Sequence, residues 1–400
     1  MAAKSISKIV LILVVATIVY THELKQMVIL SRHNVRTPLS KQLLLITPKQ
    51  WPHWKEKSGE LTAKGALLEG FLGEYFSLWL KNEGLLQNTC PDEDTFFAYA
   101  NNKQRTIASA VAFTSKAFPN CTISVHHASG DNKDPNFNPV IHNASETFRE
   151  IARHEMIEKL SQVNVKIALC DLENILDYTN SNECKVNLKC DLANDKTNVE
   201  ELVDGEEPEI TGPLHIGNSA VDTFKMEYYS GLPMADVAWG QLTQPSKWNE
   251  FMKINEAYHN VRFNTTSIAK NIASPLIIYI RKLFNNYNAE QPKVSLLMGH
   301  DANLYSVLCS LDFKDYKLTN QNERTPVGGK LVFQKWWDDV NKIFLLKTQY
   351  IYQSTAQLRK ATKLSLEVPP QIINMEMNGC SVDKDGFCMW DDFLKVLDGF

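Results

Sequence analysis

Apolar and polar positions fall in blocks along this chain. Gln26-Met27-Val28-Ile29-Leu30 is an apolar run rich in strand formers, the pattern of a strand buried on both faces. It ends in a polar segment, Ser31-Arg32-His33-Asn34-Val35-Arg36-Thr37-Pro38. Leu61-Thr62-Ala63-Lys64-Gly65 opens a helical pattern that runs through Leu80, with Thr62 placed to cap it. Thr95-Phe96-Phe97-Ala98-Tyr99-Ala100 predicts a second strand, broken at Asn101-Asn102 and followed by a helix from Gln104 to Phe118. Ile123-Ser124-Val125-His126 predicts a third. From 128 to 263 the pattern changes. It opens loop-like, with Gly130, Asp131, Asp134, Pro135 and Pro139, then becomes helical and charged from Ala144 onward. Strand patterns return at Lys293-Val294-Ser295-Leu296-Leu297-Met298, which runs into Gly299-His300-Asp301. Lys330-Leu331-Val332-Phe333-Gln334 and the run from Ile343 to Tyr352 then read as a hairpin. Alternation at both ends around a helical block predicts an α/β domain built from 22–127 and 264–400, with a mostly α-helical domain, 128–263, inserted in it. The α/β part is expected to hold a central, mostly parallel sheet flanked by helices.

At 400 residues the chain has room for both units. Its composition, 44% hydrophobic and 22% charged, is that of a globular protein. A net charge of −4 excludes the basic excess of a nucleic-acid binder, so any anion must be held by a local basic cluster. Residues 1–21 read as an export signal. Lys4 and Lys8 precede an apolar run from Ile9 to Tyr20, shorter than the ~20 residues that span a bilayer. Cleavage would leave no stable membrane association; the exit lacks an Ala-x-Ala-like site, so an uncleaved anchor is the alternative. Export places the eight cysteines in an oxidising compartment. Cys184 and Cys190, like Cys380 and Cys388, are close enough to close short loops, and Cys90 and Cys121 flank one strand–helix unit. Spacing leaves the connectivity open. Cys309 sits in an apolar run and reads as a buried thiol.

Three strand candidates end in polar, mostly basic segments: Arg32, His33 and Arg36 at the first, Arg105 at the second, His300 and Asp301 at the fourth. Ligands of open α/β sheets bind beyond the carboxyl ends of the parallel strands. If these strands are neighbours, their tips gather three arginines, two histidines and a carboxylate. Arginine forks match phosphate oxygens and stay charged, and with a histidine they can stabilise a transferring phosphoryl group. A histidine among cations is kept unprotonated and can attack phosphorus. A carboxyl group can protonate the leaving alkoxide. That chemistry requires no metal and no cofactor. Each residue alone is commonplace; the set, one at each strand tip with a role apiece, carries the reading.

Arg32-His33-Asn34-Val35-Arg36-Thr37-Pro38 resembles the Arg-His-Gly-x-Arg-x-Pro signature of the histidine acid phosphatases, and Met298-Gly299-His300-Asp301-Ala302-Asn303 resembles their downstream His-Asp motif. Tyr99-Ala100-Asn101-Asn102-Lys103-Gln104-Arg105-Thr106, Phe137-Asn138-Pro139-Val140, Val237-Ala238-Trp239-Gly240, 321–330 and the segment from Cys380 to Cys388 are similar to the bacterial periplasmic glucose-1-phosphatase branch of that family. The resemblance implies a phosphoglycerate-mutase-like α/β domain and a periplasmic enzyme acting on small-molecule phosphate esters, glucose 1-phosphate foremost. It implies His33 as nucleophile, Arg32, Arg36, Arg105 and His300 as phosphate ligands, and Asp301 as proton donor. It also implies local pairing of Cys90 with Cys121, Cys184 with Cys190 and Cys380 with Cys388, and leaves Cys170 and Cys309 as free thiols. Asn34 replaces the signature glycine, as in the glucose-1-phosphatases. Its side chain is expected to project toward the pocket and narrow substrate choice. Leu39 is expected at the pocket mouth. Glu207 is expected to contact the sugar, although its neighbours Glu201, Asp204, Glu206 and Glu209 make a solvated acidic loop the competing reading. Sequons at Asn120, Asn143 and Asn264 are chance matches on this bacterial reading. A phytase or a broad-specificity acid phosphatase is the first alternative; an intracellular mutase or transferase and a non-enzymatic phosphate binder are the others. No oligomeric state is legible.

Overall fold

The computed structural model describes residues 22–39, 41–130, 132–188, 190–285 and 291–400; the expected export signal lies outside them. In chain order, β1 (His22–Arg32) leads to α1 (Ala63–Asn82), β2 (Phe96–Ala100), α2 (Gln104–Ala117) and β3 (Val125–His126). Helices α3 (Glu146–Ser161), α4 (Lys166–Leu176) and α5 (Asn182–Asn187) follow. A small antiparallel pair, β4 (Asn198–Val199) and β5 (Ile210–Thr211), precedes α6 (Pro213–Ser230), α7 (Pro245–Phe263) and α8 (Thr266–Asn285). The chain closes with β6 (Val294–Gly299), α9 (Asp301–Ser310), β7 (Lys330–Asp338), β8 (Ile343–Tyr352), α10 (Thr355–Lys360), β9 (Gln371–Asn374), β10 (Phe387–Met389) and α11 (Trp390–Leu397).

The main sheet runs β10-β8-β7-β1-β6-β2-β3, with β9 also paired to β8. β1, β6, β2 and β3 are parallel. β7 pairs antiparallel with the other side of β1, and the expected β7–β8 hairpin is present. β6 is buried throughout, as its continuous apolar run requires in a sheet covered on both faces. The third strand is shorter than the four-residue run predicts: only Val125 and His126 pair, at the sheet edge.

α1 begins where the pattern places it, with the Thr62 side chain accepting from the Gly65 N–H. Gly65 is required there. A Cβ on it would lie 2.1 Å from the Val35 carbonyl oxygen, so only glycine lets α1 dock against the loop after β1. Thr62 donates to the same carbonyl from its N–H and its hydroxyl.

One core joins buried Met156, Leu172, Phe224, Phe251 and Ile254 of α3, α4, α6 and α7. Another joins α8 and α9 to the sheet through Leu276, Ile277, Leu297 and Leu304. Cys90 is bonded to Cys121, Cys184 to Cys190 and Cys380 to Cys388; Cys170 is a free, exposed thiol and Cys309 a free, half-buried one. No helix among the described residues is long and apolar enough to cross a membrane.

Candidate active site

The carboxyl ends of β1, β6 and β2 are adjacent, because Arg32 pairs with Gly299 and Ala100 with Met298. The loop after β1 is pinned on both sides. The His33 N–H donates to the Gly299 carbonyl, and Gly328 donates to the His33 carbonyl. His33 itself is buried. Its Nδ1 lies 2.8 Å from the Asn34 carbonyl oxygen, which can only accept. The proton therefore sits on Nδ1, and Nε2 keeps its lone pair. Burial, then Arg105, His300, Arg32 and Arg36, hold this imidazole well below the usual histidine range.

His300 caps α9 at the end of β6. Its Nε2 donates to Asn101 Oδ1 at 3.0 Å, and its Nδ1 faces Arg105 Nη2 at 3.3 Å. Burial and then Arg105 hold it below the usual range as well. Arg105, in the first turn of α2, is itself pushed down to about 10 by burial and the neighbouring Arg36, which leaves it charged at acid and neutral pH. The His33 and His300 rings meet edge-on at 5.5 Å.

The other two arginines are anchored by carboxylates. Arg36 Nη2 donates to Asp222 Oδ2 of α6 at 2.9 Å. Burial would raise the Asp222 carboxyl, but Arg36 and Lys225 bring it down to about 2. Arg32 is held on one side by Glu323 (2.9 Å) and the Thr325 carbonyl (2.6 Å), and on the other by Asp301 Oδ2 at 2.9 Å. Asp301, the first residue of α9, also accepts from the Ala302 N–H. Burial works against its charge, yet Arg32 and His259 keep it well below the usual carboxylate range. Arg32 Nε and Nη2, Arg36 Nε and Arg105 Nε are buried without an aligned hydrogen-bond partner among the described residues. Arg32 Nη2 still has the charge of Asp301 against it; buried donors without any partner need acceptors, and those of Arg36 and Arg105 suit an anion with several oxygens.

His33, Arg36, Arg105, His300, Asp301, Leu39 and Glu207 all line one cavity of about 450 Å³. Leu39 is 46% exposed at its edge. Arg32 lies behind this wall, against Asp301. Glu207 is not free acidic loop: with Glu209 it pairs with Arg262 of α7, at 3.0 and 2.6 Å.

Asn34 is the exception, and the expectation that it faces the pocket is corrected. Its side chain points away from the cavity, as alternation along an extended segment requires once His33 faces it. Asn34 Nδ2 donates to Glu69 Oε2 at 2.9 Å, and its Oδ1 accepts from the Val35 N–H. Glu69 in turn receives Lys330 Nζ at 2.6 Å, and Lys330 donates to Ser31 Oγ at 2.7 Å. All four residues are fully buried. Nor does Asn34 adopt the left-handed backbone that would explain an asparagine there. It serves as a strut behind His33.

Residues of the helical block that the sequence pattern did not mark as functional complete the wall: Asp222 and Ser219 of α6, and His259 and Arg262 of α7. Polar residues on a helix ordinarily read as its solvated face. The one local signal was Arg262 beside Phe263 and a turn after Tyr258, two rings it stacks on at 4.5 and 4.8 Å.

A buried histidine with a free Nε2 lone pair, several arginines and a carboxyl group at one sheet edge suit phosphoryl transfer. The model of the histidine phosphatase superfamily (branch 2) matches residues 23–351, and the chain belongs to that family; it is a phosphoric monoester hydrolase of the histidine acid phosphatase type. Among its relatives, it is 42% identical to the glucose-1-phosphatase of Salmonella typhimurium, over 94% of this chain and 92% of that one. To the glucose-1-phosphatase of Providencia rettgeri it is 41% identical, over 94% and 91%. In three dimensions it is similar to the apo form of the Hafnia alvei phytase, with a TM-score of 0.86 and 27% identity, covering 96% of this chain and 98% of the phytase.

Proposed function

We propose that the protein hydrolyses sugar phosphate monoesters, with glucose 1-phosphate the foremost substrate, through a phosphohistidine on His33 Nε2. The observation that carries this reading is the pair of cavity-lining guanidinium groups, Arg36 and Arg105, each with a buried Nε that has no aligned partner among the described residues, beside a histidine whose free nitrogen is fixed by the Asn34 carbonyl. The phosphoryl oxygens bind those guanidinium groups and His300. Nε2 attacks phosphorus as the bond to the sugar oxygen breaks, and Asp301 protonates the departing oxygen. Water then attacks the phosphohistidine and returns a proton to Asp301. Because burial and the arginines depress His33, it stays nucleophilic in acid. The relatives' activity supports glucose 1-phosphate, and the paired cysteines support export to a periplasm.

A phytase reading is favoured by the structural likeness and disfavoured by the outer wall. There Arg262 is already paired with Glu207 and Glu209, and an adjoining cavity that shares Glu207 and His215 carries Glu200, Glu201 and Glu206. Such a rim repels a polyphosphate and tolerates a neutral sugar. The test is a rate panel at mildly acidic pH with glucose 1-phosphate, glucose 6-phosphate and phytate, alongside His33→Ala. Glucose 1-phosphate should lead and His33→Ala should be inactive. A faster rate on phytate would overturn the substrate, and an active His33→Ala the mechanism.

A further inference from the structure

His259 of α7 is buried and lines the catalytic cavity. Its ring stacks on Tyr305 of α9 at 5.2 Å and meets Tyr258 edge-on. Nδ1 lies 2.7 Å from the Asn255 carbonyl oxygen. A carbonyl only accepts, so Nδ1 carries a proton. The other nitrogen, Nε2, faces Asp301 Oδ2 at 3.4 Å. If His259 were neutral and Asp301 ionised, two lone pairs would oppose each other there. One proton between them removes the conflict, whether as imidazolium and carboxylate or as imidazole and carboxylic acid.

The same oxygen faces Arg32 Nη2 at 2.9 Å. A donor must hold a proton before it can give one, and Arg32 keeps Asp301 ionised while the two are paired. Phosphoryl oxygens arriving at Arg32 weaken that pair and make Asp301 more basic. Apart from Arg32 and the Ala302 amide, the nitrogen set against this carboxylate is His259 Nε2, at 3.4 Å.

We propose that His259 and Asp301 hold one proton in common, and that His259 is the store from which Asp301 is charged when substrate binds. The Nε2–H bond of the imidazolium breaks and the Oδ2–H bond of Asp301 forms, so both groups become neutral. As the P–O bond to the leaving group breaks, that oxygen takes the proton and Asp301 becomes a carboxylate. Water attacking the phosphohistidine gives a proton back to Asp301. When phosphate departs and Arg32 pairs with Asp301 again, the proton returns to Nε2. His259 acts through Asp301 and is a positioning residue. Asp301 and Tyr305 from α9 and Tyr258 and Phe263 of its own helix face it, with Arg32 beyond Asp301 and Arg262 beyond the two rings of α7.

This inference rests on Asp301 being the proton donor, and the test separates the two. Rates are measured for Asp301→Asn and His259→Gln on glucose 1-phosphate, whose leaving oxygen needs a proton, and on p-nitrophenyl phosphate, whose leaving phenolate needs none. Asp301→Asn should lose on the order of 10²–10⁴-fold on the sugar phosphate and at least tenfold less on the aryl ester. If it loses equally on both, the donor reading fails. With that pattern established, His259→Gln should show the same selectivity at roughly 10–100-fold. Equal loss on both esters, or no loss, overturns the shared proton. The trapped phosphoenzyme burst with p-nitrophenyl phosphate reports whether the variant is folded and competent. His259→Asn is the second variant if His259→Gln gives no burst, and it should show the same selectivity.

Discussion

Replacing Lys330 by Met isolates the strut behind His33. Lys330 and Glu69 are fully buried and 2.6 Å apart. Without the ammonium group the Glu69 carboxylate keeps, among the described residues, only the Asn34 amide as partner. Removing one member of a buried ion pair costs about 3–5 kcal/mol, because the other charge is left without compensation. Glu69→Leu should cost a similar amount through the stranded Lys330. The double variant Lys330→Met/Glu69→Leu removes both charges, and packed apolar replacements of a buried pair are near neutral. What remains is the unsatisfied Asn34 amide, about 1–3 kcal/mol. The double variant should therefore be more stable than either single one, with a coupling energy of at least about 3 kcal/mol. Urea unfolding followed by tryptophan fluorescence measures this. Single effects that simply add would show that the two charges do not depend on each other, and the strut would be a coincidence of packing.

Three further outcomes follow from the same geometry. Asn34→Gly should lower stability by about 1–3 kcal/mol and leave the kcat/KM order of glucose 1-phosphate, glucose 6-phosphate and phytate unchanged; a reordered panel would mean that Asn34 reaches the substrate after all. Glu227 of α6 is buried, accepts from the Ala238 N–H, and is lifted by burial to about 8 from its ordinary 4.5. Its protonated form is the one the fold prefers, so its contribution is whole below pH 4.5 and lost as pH rises to about 8, roughly 3–5 kcal/mol in total. Thermal unfolding at pH 5 and pH 8 should show this loss in the native protein and much less of it in Glu227→Gln; equal slopes would contradict the assignment. Alkylation without reductant should label Cys170 rapidly and Cys309 slowly, since Cys309 is half-buried and burial raises its thiol; labelling of any other cysteine would contradict the pairing.

What could be seen in the sequence was whatever one stretch of chain contains. The run at 26–30 and the basic segment after it belong to one strand and its tip, so their pattern survives folding intact. Thr62 caps α1 for the same reason. The positions of Asp222 and His259 depend instead on how α6 and α7 lie across the sheet edge, and nothing within either helix distinguishes them from solvated positions. Asn34 shows the opposite failure. Its place in the signature segment pointed to the substrate, yet two-residue alternation turns it to the face opposite His33, where Glu69 and Lys330 wait from 35 and 296 residues further along. β3 is shorter than its sequence pattern implies, because at the sheet edge only Val125 and His126 pair with β2 and the pattern extends past them.

The sheet stops abruptly on both sides. At one margin stands β3, two residues long. At the other, the outer side of β8 is occupied at 345–347 by β10 and at 349–352 by β9, and the Cys380–Cys388 bond fastens β10 in place. An open strand is a template on which a second chain can add itself, and short or covered margins deny it. The protein thus keeps a long, apolar sheet in a form that a crowded neighbour cannot readily extend. Reducing that one disulfide should be felt first as a tendency of the chains to associate.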